Sequence, residues 1–125
     1  MTQKFQIYKC EICGNLIQVL LEGNGELVCC GKNMILQAIQ HDTNELGEKH
    51  APKYEQRNDE TFVTVKSHPM VNEHYIQFIE TYTKDKNEMH IKYFYPQETA
   101  EMNISHFTKE VESIEFCNIH RLWGE

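Results

Sequence analysis

Residues 1–37 carry four cysteines, as Cys10-x-x-Cys13 and the adjacent pair Cys29-Cys30, and little that could form a core. A segment this short cannot bury enough apolar area to fold unaided, so modules of this size depend on a staple. Two runs read as short strands, residues 16–21 and 26–29, with Gly23-Asn24-Gly25 between them as a hairpin turn. Four thiolates close a tetrahedral site around zinc or iron. Cys-x-x-Cys is a common metal knuckle because its short loop brings both sulfurs to one ion. Cys29 and Cys30 would point apart along an extended chain, so both reach one ion only if the backbone bends sharply there. Gly31, directly after, permits such a bend. The residues leave a structural zinc ribbon and a mononuclear iron–thiolate centre both open, with a disulfide pair a distant third.

A chain of 125 residues is ordinarily one domain, or a small module attached to a modest one. The formal charge of −7 argues against a nucleic-acid partner, since a polyanion needs a basic face. No apolar run approaches the ~20 residues that cross a bilayer, so no membrane partner is expected. The start of the chain has no apolar stretch resembling a secretory signal, so the expected location is cytoplasmic. There the thiols stay reduced and available to metals, and the odd count of five cysteines agrees.

The chain divides near residue 40. We expect a metal-binding module over residues 1–37, a polar linker over 38–47 and a second domain over 48–125. In the second domain, residues 61–66, 74–82, 88–95, 102–107 and 111–117 alternate or are rich in β-branched and aromatic side chains. They recur at roughly ten-residue spacing, separated by turn residues. Short strands without convincing helices predict an all-β protein, with an immunoglobulin-like antiparallel β-sandwich after the small module; a barrel is the alternative.

That second domain also holds Glu48-Lys49-His50-Ala51-Pro52, His68-Pro69-Met70, His74 and Cys117-Asn118-Ile119-His120. Pro52 and Pro69 hold the preceding backbone extended, which projects the nearby histidines from rigid loops. Taken singly, each histidine is more often a surface or core residue, and Cys117 alone is more often a small buried hydrophobe. As a group, four imidazoles and one thiolate form a second donor set of different character from the first. His41, His90 and His106 are read as ordinary residues, and the Asn103-Ile104-Ser105 sequon as chance.

With these motifs in view, the chain resembles the desulfoferrodoxin family, the two-domain superoxide reductases. Tyr8-Lys9-Cys10-Glu11-Ile12-Cys13-Gly14-Asn15 and Glu26-Leu27-Val28-Cys29-Cys30-Gly31 resemble desulforedoxin. Glu48 through Pro52, His68-Pro69-Met70, Asn72-Glu73-His74 and Cys117 through His120, followed by Trp123, resemble the catalytic domain shared with neelaredoxin. The resemblance implies two mononuclear non-haem iron ions per chain. Cys10, Cys13, Cys29 and Cys30 would hold the first in a distorted tetrahedron. His50, His68, His74 and His120 would be equatorial ligands of the second and Cys117 its axial ligand, leaving a sixth position open. It further implies reduction of superoxide to hydrogen peroxide, with Glu48 as the carboxylate that closes the oxidised site and Lys49 as the lysine beside it. A rubredoxin-like electron donor and a homodimer are implied in the same way. The residues alone keep two rivals in play, a non-enzymatic electron carrier and a zinc-ribbon binding module.

Overall fold

The computed structural model describes residues 1–41 and 45–125. The chain separates into two compact units, Met1–Ala38 and Ile39–Glu125. The segment expected as a linker, residues 38–47, includes backbone pairing at Gln40 and the start of a helix at Glu45. Gln40 runs beside the C-terminal strand of the second unit: its N–H donates to Leu122 O at 3.0 Å and its carbonyl accepts from Gly124 N at 2.8 Å. Glu45–His50 forms a short helix, α1. Residues 42–44 lie outside the described residues.

In the first unit, β1 (Ile7–Lys9) pairs antiparallel with β2 (Leu16–Gln18) and with β5 (Ile35–Leu36). β3 (Val28–Cys29) pairs with β4 (Lys32–Asn33). The hairpin expected over Gly23-Asn24-Gly25 does not form; the hairpins close over the cysteines instead. Between β1 and β2, Cys10 N donates to Asn15 O and Gly14 N to Cys10 O, each at 2.9 Å, with Gly14 at φ 84°. Between β3 and β4, Cys30 at φ 54° and Gly31 at φ 76° supply the two positive angles of a type I′ turn. These turns, rather than apolar alternation, set the pairing. Leu20 and Leu21, read as strand, are 62% and 83% exposed. Ile7, Cys10 and Val19 are the buried apolar side chains of this unit, too few to hold it by burial alone.

The second unit is an antiparallel sandwich. β6 (Lys53–Arg57), β7 (Glu60–Thr64) and β10 (Glu101–Asn103) form one sheet in the order β10-β7-β6. β8 (Ile76–Thr83), β9 (Met89–Tyr93), β11 (Val111–Cys117) and β12 (Arg121–Gly124) form the other in the order β12-β11-β8-β9. Val63 and Met102 from the first sheet pack with Ile79, Ile76 and Cys117 from the second, an immunoglobulin-like arrangement of three strands on four. The expected strands are present as β7 to β11 with shifted ends. β6 carried no warning: it is an edge strand whose five residues are all exposed or half-buried, so no apolar alternation marks it. The register slips once, where Phe116 faces Phe78 but Cys117 faces Ile76, which leaves Gln77 unpaired in the ladder to β11. That bulge turns both Cys117 and Ile76 into the core.

One ion network ties the three-stranded sheet together. Arg57 on β6 reaches over β7 to make a two-point contact with Glu101 on β10, at 2.7 and 3.2 Å. It also donates to Glu55 at 2.9 Å, and its guanidinium lies 4.1 Å from the Phe62 ring. Lys66 contacts the second Glu55 oxygen at 2.6 Å. Arg57, then Lys66, hold the Glu55 carboxyl down to about 2. A carboxylate whose folded pKa is lowered stabilises the fold above its ordinary value, and that contribution is lost as pH falls through the folded value. We predict that the wild type is more stable than Glu55→Gln above pH 4.5 and that the gap shrinks as pH falls toward 2. Urea midpoints at a series of pH values measure this; a gap independent of pH contradicts it.

Candidate metal centres

The first centre is built by the two cysteine hairpins. The four sulfurs of Cys10, Cys13, Cys29 and Cys30 lie within 4.8 Å of one another, and all four thiols are free. Cys13 Sγ is 3.5 Å from Cys29 Sγ, and Cys29 Sγ is 4.0 Å from Cys30 Sγ. The adjacent pair converges because Cys30 adopts the left-handed conformation that the sequence required of this turn. One backbone and one side-chain donor face the sulfurs: Cys13 N–H points at Cys10 Sγ at 3.4 Å, and Asn15 Nδ2 at Cys29 Sγ at 3.7 Å. The Cys13 N–H brings the Cys10 thiol down to about 6, while the Cys13 and Cys10 sulfurs push Cys30 up to about 12. One thiolate therefore forms easily and the next ones resist it. A cation in the middle is what lets all four be anionic together, and the donor set fits zinc or iron.

The second centre gathers donors from three separated segments. His50 ends α1, His68 follows β7, His74 precedes β8, Cys117 ends β11 and His120 lies in the turn before β12. The ligand atoms of His50, His74, Cys117 and His120 lie within 4.8 Å of one another. His68 lies beside this group: its Nε2 is 3.1 Å from His50 Nε2 and its ring centroid 4.5 Å from that of His74. The structure thus brings His50, His68, His74 and His120 together with Cys117. His41, His90 and His106 are not among them; His41 contacts Glu125 O, and His90 and His106 are exposed.

Backbone carbonyls choose the tautomers. His50 Nδ1 lies 2.7 Å from Leu46 O, and His68 Nδ1 lies 2.6 Å from Pro69 O. Each Nδ1 must donate there, so each Nε2 carries a lone pair. Those two lone pairs face each other across 3.1 Å, and His120 Nδ1 is also 3.1 Å from His50 Nε2. His74 Nε2 is buried without any hydrogen-bond partner. Burial lowers the pKa of His50 and His74 and brings His68 down to about 4, so these three imidazoles resist protonation. A proton is therefore a poor occupant of this space and a cation accepting several lone pairs a good one. The fully buried Cys117 Sγ accepts from Ile119 N at 3.4 Å and His120 N at 3.3 Å. Burial raises its pKa against those bonds. Glu115, two residues earlier, keeps both carboxylate oxygens buried and unpartnered, and burial raises its pKa well above the usual range.

Supporting contacts were not legible as such in the sequence. Asn118 brackets His74: its Oδ1 accepts from Tyr75 N at 2.9 Å and its Nδ2 donates to Glu73 O at 3.1 Å. The signal was present, since Asn118 lies inside the Cys117-Asn118-Ile119-His120 motif. Met70 Sδ accepts from Ile76 N at 3.4 Å, closing the loop between His68 and His74. Glu48 and Lys49 are exposed on α1 directly before His50.

Comparison with known proteins gives two family matches. Residues 2–37 match the family described as "Desulfoferrodoxin, N-terminal domain", and residues 42–125 match "Desulfoferrodoxin". A desulfoferrodoxin from Syntrophotalea carbinolica is 40% identical, over 99% of this chain and 98% of its own. Desulforedoxin from Megalodesulfovibrio gigas is 51% identical over 37 residues, which are 30% of this chain and 100% of its own. The superoxide reductase structure from Treponema pallidum superposes with a TM-score of 0.72 over 100% of this chain and 99% of its own; at 22% identity it shows the fold.

We predict that Cys117→Ser, expressed with ample iron, loses the metal of the second centre and keeps that of the first. Iron per chain then falls from two to one by elemental analysis. Unchanged stoichiometry contradicts the assignment of Cys117.

Proposed function

The chain belongs to the desulfoferrodoxin family, and from that premise we propose that it is a superoxide reductase with two mononuclear non-haem irons. Cys10, Cys13, Cys29 and Cys30 hold one; His50, His68, His74, His120 and Cys117 hold the other. The observation that carries this reading is the second centre, where the ring nitrogens of His50, His68 and His120 approach to 3.1 Å and the buried His74 Nε2 has no hydrogen-bond partner among the described residues. Ferrous iron held by these residues would supply the single electron.

The chain's own side chains meet the remaining needs. Superoxide takes up one electron and two protons and leaves as hydrogen peroxide. Neutral imidazoles add no negative charge against an anionic substrate, and only Cys117 contributes a thiolate. His74 and His120 are half-buried and Ile119 beside them is 52% exposed, so the centre lies near the surface, within reach of a small anion. Lys49 gives local positive potential in a chain of net charge −7, which raises the encounter rate with superoxide. It also holds a water that delivers a proton. Glu48, its neighbour, closes the site once the electron has been spent.

A rubredoxin-like small redox protein returns the electron, and the protein works as a cytoplasmic homodimer in oxidative-stress detoxification. Five free thiols suit a reducing compartment. Among the described residues no helix is long and apolar enough to cross a membrane. Ile12, Leu20, Leu21 and Val28, each more than half exposed, offer the first unit apolar area for a second copy. The zinc-ribbon module is disfavoured because it needs dispersed histidines and a Cys117 without neighbouring donors. An electron carrier differs from the reductase in needing no reaction with superoxide, which kinetics decide.

Lys49→Ala should slow the reaction with superoxide by about tenfold at low salt and flatten its salt dependence. Pulse radiolysis across an ionic-strength series tests this, and an unchanged low-salt rate refutes the role of Lys49. Glu48→Ala should leave the reduction rate largely intact while altering the absorption of the oxidised protein. Loss of reduction in that variant would instead put Glu48 in the chemical step.

A further inference from the structure

Trp123 is the only tryptophan of the chain and is 3% exposed. It touches two donors of the second centre at once. Its ring stacks on His50 with centroids 4.8 Å apart and planes 23° from parallel. Its Nε1 donates to His120 O at 3.0 Å. His50 and His120 are separated by 70 residues in sequence, and their nitrogens meet at 3.1 Å. A second side chain acts on the same carbonyl: Gln40 Nε2 donates to His120 O at 2.8 Å and to Leu122 O at 3.2 Å. The Gln40 backbone in turn pairs with that of Trp123 as a parallel bridge.

These contacts restrict the ligands in complementary ways. The Leu46 carbonyl fixes one edge of the His50 ring, and the indole fixes its face, so the direction of Nε2 has little freedom left. On the other side, two donors on one carbonyl fix the peptide plane of His120, and with it the direction in which its side chain leaves the backbone. We propose that Trp123, seated by Gln40, is a positioning residue that aims the donor nitrogens of His50 and His120 at one ion. The inference rests on the metal-centre reading above. It adds a role for two residues that are neither ligands nor reactants. Residues that orient metal ligands from behind typically change metal affinity by about 10–100-fold when removed.

The test compares iron-loaded wild type with Trp123→Phe, which keeps an aromatic face and loses the N–H, and Gln40→Leu, which loses both side-chain bonds. Ile104→Val, a core change on the loop after β10, controls for general loss of stability. The readouts are iron retention against a chelator, the energy of the thiolate-to-iron absorption band and the midpoint potential of the second centre. Both positioning variants should lose iron about tenfold or more faster than wild type, with a shifted band and potential, while Ile104→Val keeps all three. The double variant should fall short of the sum of the singles because both act on the His120 carbonyl. Should Trp123→Phe fail to fold, Gln40→Leu carries the comparison alone. Wild-type retention, band and potential in the variants, with only a lower melting temperature, overturn the proposal. A wild type that takes up no iron at the second centre overturns the metal-centre reading, and this inference with it.

Discussion

Two imidazole nitrogens whose protons are committed to backbone carbonyls point their lone pairs at each other across 3.1 Å. Such a juxtaposition is repulsive unless something positive lies between, and burial keeps protons from serving. Much of the second unit can be understood as the frame that imposes it. The end of α1 delivers His50, the loop closed by Met70 delivers His68 and His74, and the bulged end of β11 delivers Cys117. The sandwich core behind them is apolar and includes Cys117 itself. Loops alone would relax away from a crowded donor set; loops anchored on two packed sheets cannot.

The two centres solve different problems. In the first unit the metal substitutes for a core that 38 residues do not supply, and the turns that carry the cysteines are also the turns that define the strands. Removing the ion there should cost the fold. In the second unit the core exists independently, and the donors at its margin are imidazoles and the single Cys117. The first centre is a closed all-thiolate set, whereas the second combines imidazoles with one thiol.

The donor residues were legible because ligand chemistry leaves strong marks: Cys10-x-x-Cys13, the pair Cys29-Cys30, and a lone Cys117 three residues before His120. The sandwich was legible from alternation in what became β7, β8, β9 and β11. Other features were hidden for identifiable reasons. Gly23-Asn24-Gly25 carried a good turn signal, yet pairing follows the hydrogen bonds of the cysteine turns, which no propensity records. β6 is polar on both faces because it is an edge. α1 has six residues, below the ~12 at which a helix is stable by itself, and survives through the contact between His50 and Leu46 O. Gln40 sat in a stretch that reads as linker, and only the fold brings it to the His120 carbonyl.

The central claim is that the second centre reduces superoxide rather than dismutating it or merely passing electrons. The most direct measurement supplies the iron-loaded protein with superoxide and an electron donor, and counts hydrogen peroxide and dioxygen per superoxide consumed. The account predicts one peroxide for each superoxide and no dioxygen released. Half a peroxide with matching dioxygen, or no acceleration over the spontaneous reaction, would contradict it.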